Sequence, residues 1–430
     1  MERVASIRPD RCHPGTSGDW GEPVAVGCAG PAMTAERGGA LDPATLAPPH
    51  NGMDQPVNIP QRIKRLMPLA DVLTIIEQLV GPVAPAEVAT SDAIGGTLAA
   101  DLVATAPHPP TALAARDGFA VRAEETLDAG SYGPAPLSTR PVPVETGDAL
   151  PPGADAVAPI DAVRIGNRPA EALAPVAPGE GVLAEGTDAT PGRILRCAGE
   201  RIRALDATAL MALGAARVSV RQPRVHVVRA RPDDRVLQAT TVLIANAAAS
   251  DGAIAAPYDA ENAQSRHVSE ALADAQADAV IVVGGTGTGR LDTSVATLAK
   301  LGRVEVHGVG ITPGETAAFG VVDKRPVLLV PGRIDAALAA YLTLGRAIIR
   351  RLTGGRDDGP PVMAPLTRKV TSTVGLVDVV PVRFVAAGAE PLGSGYLPLS
   401  ALTLADGYLL VRAASEGFPA GASVAITPLR

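Results

Sequence analysis

Aromatic side chains are scarce in this chain: one Trp, five Tyr and four Phe make up 2% of 430 residues. Apolar residues still reach 47%, so Ala, Val and Leu must do most of the packing, over a length that allows two to four domains. Cysteine is nearly absent. Cys12, Cys28 and Cys197 stand too far apart for a C-x-x-C metal site, which leaves either a Cys12–Cys28 disulfide or an inert reduced set, the latter being the default. No run of 18 apolar residues occurs, so no transmembrane helix is expected. No basic stretch leads into an apolar core at the start, so no signal peptide is expected either. Positive charge is short as well, with 38 Lys and Arg against 45 Asp and Glu. The basic residues are scattered, which argues against a nucleic-acid surface. A cytoplasmic protein without membrane contact is the expectation, and any anion it binds must be met by a few cations concentrated locally.

Four zones succeed one another. Residues 1–65 mix Pro, Gly, Arg and Asp without period, Trp20 among them, and read as a disordered extension or an over-long start, with Met53 and Met67 as alternative first residues. From Pro68, Leu69, Val72, Leu73, Ile76 and Leu79 recur at helical spacing until Gly81 and Pro82. Short β-like runs broken by Gly and Pro then continue to about residue 222, so 66–222 reads as a helix plus β-rich domains. Residues 223–355 alternate strands (RVHVVRA, AVIVV, VEVHGV, VLLV) with helices over about 261–276, 292–301 and 334–352. That alternation means parallel strands joined by crossovers, an α/β sandwich. Residues 362–430 alternate apolar and polar and read as a small C-terminal β-domain.

The run Gly284-Gly285-Thr286-Gly287-Thr288-Gly289 directly follows the apolar strand AVIVV and precedes a helix. Ligands of open α/β sheets bind outside the carboxyl ends of strands, and glycines there let backbone N–H groups approach an anion beside a helix N-terminus. The run is neither a dinucleotide fingerprint, since its spacing fails G-x-G-x-x-G, nor a Walker loop, since Arg290-Leu291 stands where Lys-Ser/Thr would. It reads equally as a phosphate site and as a tight loop needing positive φ. Val330-Pro331-Gly332 and Thr312-Pro313-Gly314-Glu315 are two further strand-end turns, and the three together suggest a ligand rim.

Acidic residues punctuate the same text. Asp117 lies in Arg116-Asp117-Gly118, Asp188 follows Gly186-Thr187, Asp233 and Asp234 follow RVHVVRA, and Asp292 follows the Gly run. Each alone reads as a turn-former; a set drawn from two domains could gather on a divalent cation, which prefers carboxylate oxygens.

Taken in order, these segments resemble the molybdopterin molybdenumtransferase family. ARDGFAV resembles S-x-x-D-G-Y-A-V, and VETGDALPPGADAV is similar to T-G-A-x-L-P-x-G-A-D-A-V-V. GEGVLAEGTDATPG resembles the segment around a G-E-D triplet, GGTGTGRLD resembles G-G-x-S-x-G-x-x-D, and ITPGETAAFG resembles the K-P-G-K-P-x-x-F-G segment. VPGRIDAALAAY is similar to L-P-G-N-P-x-x-A, while LTLADGYLLV and PAGASVAI resemble the family's last β-domain. The likeness runs over about residues 66–430. It implies a multidomain α/β and β fold: a three-layer α/β molybdopterin-binding domain, β-rich N-terminal domains and a small C-terminal β-barrel-like domain.

The resemblance also implies a homodimer in which the partner's second domain completes the cleft, and insertion of molybdate into adenylated molybdopterin with release of AMP in the presence of Mg²⁺. By matching motif, Asp117, Thr146, Asp188, Asp234 and Asp292 take catalytic positions. Asp117, Asp188 and Asp292 are the implied metal ligands. Gly284, Gly285, Thr286, Gly287, Thr288, Gly289, Arg290, Pro313, Gly314, Gly332 and Arg333 are implied to bind the substrate. Upstream cofactor-assembly enzymes or a client molybdoenzyme are the further expected partners.

The chain departs from the family at the basic side. Leu183 stands for a basic residue and Thr187 for the Glu of the triplet; Thr312 and Glu315 replace two lysines; Arg333 replaces Asn; Gly287 replaces Ser. Arg290, Arg333 and Arg116 are cations that could compensate, with Glu315 expected to pair with Arg333 or Arg290. The alternative reading is a non-catalytic carrier of molybdopterin or of the finished cofactor.

Overall fold

The structure, a computed structural model, describes residues 61–430 apart from 131, 167–168, 259–266, 357–360 and 430. The chain divides into two units, Met1–Val57 and Asn58–Arg430, and every described residue belongs to the second. The Cys12–Cys28 alternative, Trp20, Met53 and the expected disorder of residues 1–60 lie outside the described residues.

Helix α1 (Leu69–Leu79) forms where the three- and four-residue spacing requires it, burying Val72 and Ile76. With Val80 these side chains pack into the core of the α/β domain rather than that of the β-rich region. Arg351 fastens the helix end by donating to the carbonyls of Val80 and Glu77. The expected boundary near residue 65 moves as well. Met67 N–H donates to Gly308 O at 3.0 Å and its carbonyl accepts from Gly310 N–H at 2.7 Å, so the strap 61–67 lies along the α/β domain.

The β-rich region is a set of short antiparallel pairings. Ala86–Ala89 and Thr97–Leu98 flank Arg217–Arg221, covered by α2 (Ala204–Ala212) over Leu98, Ile202, Leu210 and Val218. A second body centres on Gly118–Val121, flanked by Val142–Val144 and Ala156–Ala158.

In the α/β domain the strands stand in the order Ile254–Pro257, Arg224–Arg229, Ala279–Val283, Arg325–Val330, Ala318–Val322, Arg303–His307. The first four are parallel, whereas Ala318–Val322 runs antiparallel to both its neighbours, so the sheet is mixed rather than wholly parallel. Side chains alternate across it. Val225, Val227, Ile281, Val283, Leu328 and Val330 face α1, α3 (Arg235–Ser250), α6 (Ile334–Ala340) and α7 (Arg346–Thr353). Val228, Val280, Val282, Val327 and Leu329 face α4 (His267–Ala273) and α5 (Ser294–Leu301). Three layers result, and because both faces are covered, AVIVV is buried at every position.

The helix expected over 334–352 is divided by a π-turn at Tyr341–Gly345. There the glycine lets the buried Tyr341 ring lie against the backbone, since a Cβ on Gly345 would come within 2.4 Å of that ring. Helix α3 and strand Ala318–Val322, which the sequence pattern does not announce, complete the domain.

The C-terminal sheet runs Val377–Val385, Gly407–Val411, Ser423–Pro428, Val362–Pro365. Gly388–Pro391 pairs with the first of these, and a bridge from Leu366 to Ala389 draws the two ends together in a barrel-like curl. Among the described residues no helix is long and apolar enough to cross a membrane.

Candidate functional site

At the end of strand 279–283 the chain enters the left-handed region, with φ +90° at Gly284 and +73° at Gly285. A side chain at Gly285 would meet Ser294 Oγ at 2.2 Å. Ser294 needs that place, because its buried hydroxyl donates to Gly284 O at 2.9 Å and its N–H to Gly285 O at 3.1 Å. The start of α5 is thereby sewn to the loop.

The loop's carbonyls are also held from outside. Gln61 Nε2 donates to Gly285 O at 3.1 Å and to Gly287 O at 3.0 Å. His307 Nε2 lies 3.0 Å from Thr286 O and, because a carbonyl only accepts, is the protonated ring nitrogen. The Thr286 side chain is buried and shares a 2.9 Å hydrogen bond with the Thr316 hydroxyl.

The N–H groups of Gly285, Thr286, Gly287 and Thr288 behave differently. Among the described residues they donate to no acceptor, although Gly285 and Thr286 are buried. Buried N–H groups without acceptors are rare, and consecutive ones form an anion-binding concavity. The Gly run thus needs positive φ at Gly284 and Gly285 and, among the described residues, presents four N–H donors without an acceptor.

The acidic residues divide. Asp292 folds back on the loop, its Oδ2 accepting from Gly289 N–H at 2.9 Å; it does not cap α5, whose N-cap is Thr293. Asp234 is the N-cap of α3, accepting from the N–H groups of Val236 and Leu237. Arg231 lies 2.7 Å away, and its hydrogen bond, with those backbone donors, holds the Asp234 carboxyl below the usual carboxylate range. A helix cap accounts for this residue.

Asp117 and Thr146 do come together. The Thr146 N–H and hydroxyl donate to Asp117 Oδ1 at 2.7 and 2.8 Å, and they hold this exposed carboxyl low. Asp188 lies 3.9 Å from His108 Nε2. Among the described residues no group of three His, Cys, Asp or Glu side chains is placed to hold a metal ion. One copy of the chain thus does not assemble the expected Asp117, Asp188 and Asp292 set around Mg²⁺.

The rim departs from expectation in its charges. The turn with Pro313 and Gly314 follows a short strand, Ile311–Thr312, that belongs to the C-terminal sheet, paired in parallel with Val377–Asp378. It still reaches the Gly loop through Thr316. Gly332 packs against the loop directly, since a Cβ there would lie 3.6 Å from Gly284 Cα. Glu315 Oε2 accepts from Gly314 N–H, and no ion pair joins Glu315 to Arg333.

Arg333 instead grips the buried Asp335 with two 2.8 Å hydrogen bonds and lies over Tyr396, 5.1 Å from the ring centre. Arg116 is likewise engaged, with Val157 O and Glu180. Glu315 thus makes no direct ion pair with Arg333, although it lies within electrostatic reach of it, and Arg116 is held within the β-rich region. Asp378, across from Thr312, is buried with one unpartnered carboxyl oxygen. Burial, with Glu315 adding, pushes it up to about 6. Arg290 is exposed at the loop's end. Sequence reading missed Gln61, Thr316 and Asp335.

Known proteins share this architecture. A family model described as "MoeA N-terminal region (domain I and II)" matches residues 67–214. Another, "Probable molybdopterin binding domain", matches 233–351, the stretch that holds the Gly loop. A Methanocaldococcus jannaschii protein named for molybdopterin biosynthesis is 28% identical over 406 residues, covering 86% of this chain and 99% of its own. Molybdopterin molybdenumtransferase 1 of Mycobacterium tuberculosis is 26% identical over 339 residues, 68% of this chain and 80% of that protein. A crystal structure of a molybdopterin biosynthesis MoeA protein from Pyrococcus horikoshii superposes with a TM-score of 0.64 at 26% identity, covering 85% and 99% of the two chains.

Proposed function

This chain belongs to the MoeA-type molybdopterin molybdenumtransferase family as a divergent member, and we propose that it inserts molybdate into adenylated molybdopterin with release of AMP. The observation that carries this reading is the row of four N–H groups at 285–288 that have no acceptor among the described residues. Charge-assisted hydrogen bonds from such donors suit a phosphate. In this reading the N–H groups take the pterin's phosphate, Thr286 and Thr316 supply hydroxyls beside it, and Arg290 adds charge at the open end.

Among the described residues of a single copy no three-carboxylate site for Mg²⁺ is formed, so no step is routed through it. Asp117 with Thr146, and Asp188, lie in the β-rich region, far in sequence from the loop. That distribution favours a homodimer in which the β-rich body of one copy faces the α/β cleft of the other. The proposed setting is the cytoplasm, with cofactor-assembly enzymes or a client molybdoenzyme as neighbours.

One observation favours the carrier reading. Thr312 and Glu315 stand where the resemblance calls for lysines, and Arg333 is committed to Asp335, so the rim offers little charge for molybdate itself. Complementation separates the two. In a strain lacking its molybdenumtransferase, this chain should restore nitrate reductase activity. Tight molybdopterin binding without restored activity would leave the carrier; neither outcome would reject both.

A further inference from the structure

Gln61 lies in a segment with no helical or strand pattern, yet its side chain reaches residues 224 to 235 positions away. Its amide nitrogen spans the carbonyls of Gly285 and Gly287. Its oxygen accepts from Ala296 N–H at 2.9 Å, one of the first-turn donors of α5 that have no partner within the helix. This three-bond pattern fixes which end of the amide is nitrogen.

We propose that Gln61 is a positioning residue of the Gly-loop site, turning the loop's free N–H groups toward the bound anion; the proposal rests on the molybdopterin reading above. The reason is peptide geometry. Across a planar trans peptide the carbonyl of one residue points opposite to the N–H of the next. Pinning the carbonyls of Gly285 and Gly287 therefore aims the N–H groups of Thr286 and Thr288 away from Gln61, while His307, on the carbonyl of Thr286, fixes the N–H of Gly287.

Four of the six residues 284–289 are glycine, the residue with most backbone freedom to lose on ordering. Without the clamp Ser294 N–H and His307 would still hold the carbonyls of Gly285 and Thr286, but that of Gly287 would lose its donor. The Gly287–Thr288 end would then sample other orientations, and the ligand would have to order it on binding. The clamp lies outside the loop and the rim, and within the strap 61–67, which joins the α/β domain at Met67 as well.

The test pairs two variants of the full chain. Gln61→Met keeps length and removes both donors and the acceptor. Gln61→Glu keeps the oxygen for Ala296 N–H but loses the two donors to the loop, so it preserves the helix cap. Both should weaken molybdopterin binding by at least about tenfold, roughly the effect of one or two lost hydrogen bonds to a loop that must then be ordered. Both should also speed amide hydrogen exchange at 284–290.

Wild-type affinity in both variants would overturn the proposal and leave the proposed function standing. If the wild type itself bound no molybdopterin, the proposed function would fail instead. Loop exchange then still decides the positioning role: unchanged exchange in Gln61→Met would overturn it.

Discussion

Replacing Gly285 by alanine is expected to abolish molybdopterin binding, with an affinity loss of at least about 100-fold. Two effects add. The residue holds φ at +73°, where a side chain costs about 1–2 kcal/mol. Its Cβ would also lie 2.2 Å from Ser294 Oγ, a contact that cannot persist, and Ser294 is buried with its hydroxyl committed to Gly284 O. Either the loop or the start of α5 must move, and in both cases the N–H row is disrupted. Gly214→Ala is the control, since Gly214 also has positive φ, at +81°, but nothing stands within 4 Å of its Cβ. It carries the backbone penalty without the collision, in a part of the chain remote in sequence from the loop. Calorimetric titration of both variants decides the matter. Should Gly285→Ala bind as the wild type does, the loop does not form the anion site.

Arg333→Ala is expected to destabilise the fold more than Asp335→Asn, by roughly 3 kcal/mol against about 1 kcal/mol. The asymmetry follows from burial. The Asp335 side chain is 2% exposed and that of Arg333 is 53% exposed, so removing the arginine strands a charge inside the protein, whereas neutralising the aspartate lets the guanidinium turn to water. Burial alone would push the Asp335 carboxyl up. Hydrogen bonds from Arg333, Leu397 N–H and Ala336 N–H reverse this and hold it below the usual range.

A lowered carboxyl stabilises the fold above its unfolded value of about 4 and loses that contribution as pH falls through its folded value. The gap between wild type and Arg333→Ala should therefore be full at pH 7 and narrow in acid. Urea unfolding at several pH values measures it. Equal losses for the two substitutions, independent of pH, would mean that Arg333 does not hold a buried charge. Because Leu397 belongs to the C-terminal domain, the same substitution should loosen the rim where that domain meets the α/β body.

How much of the fold is legible in the sequence depends on how local each interaction is. AVIVV followed by a Gly run can be read as a strand-end loop because both signals lie within eleven residues. The three layers follow from the same alternation of strands and helices. Helix α3 is hard to see because β-branched residues crowd its first turns, and the structure accommodates Thr240 and Thr241 by turning their hydroxyls onto the carbonyls of Val236 and Leu237. The antiparallel strand 318–322 is hidden by a tight two-residue turn at Asp323 and Lys324, both with positive φ.

The site divides in the same way. Glycines announce themselves by type, so the loop is visible in the sequence. Gln61 and Asp335 act through partners that only the fold brings near, and a glutamine in an aperiodic segment carries no signal of its own. A direct pair between Glu315 and Arg333 does not form for a related reason: an aspartate two residues along the same turn is the nearer partner.

The four N–H groups of the loop carry the proposed function most directly. Backbone amide resonances of Gly285, Thr286, Gly287 and Thr288, followed during titration with molybdopterin, report on them one by one. The expected result is a downfield shift of these four with slowed hydrogen exchange, saturating together with the calorimetric binding curve. If molybdopterin binds while these four resonances stay in place, its phosphate is held elsewhere and the site assigned to this loop is wrong.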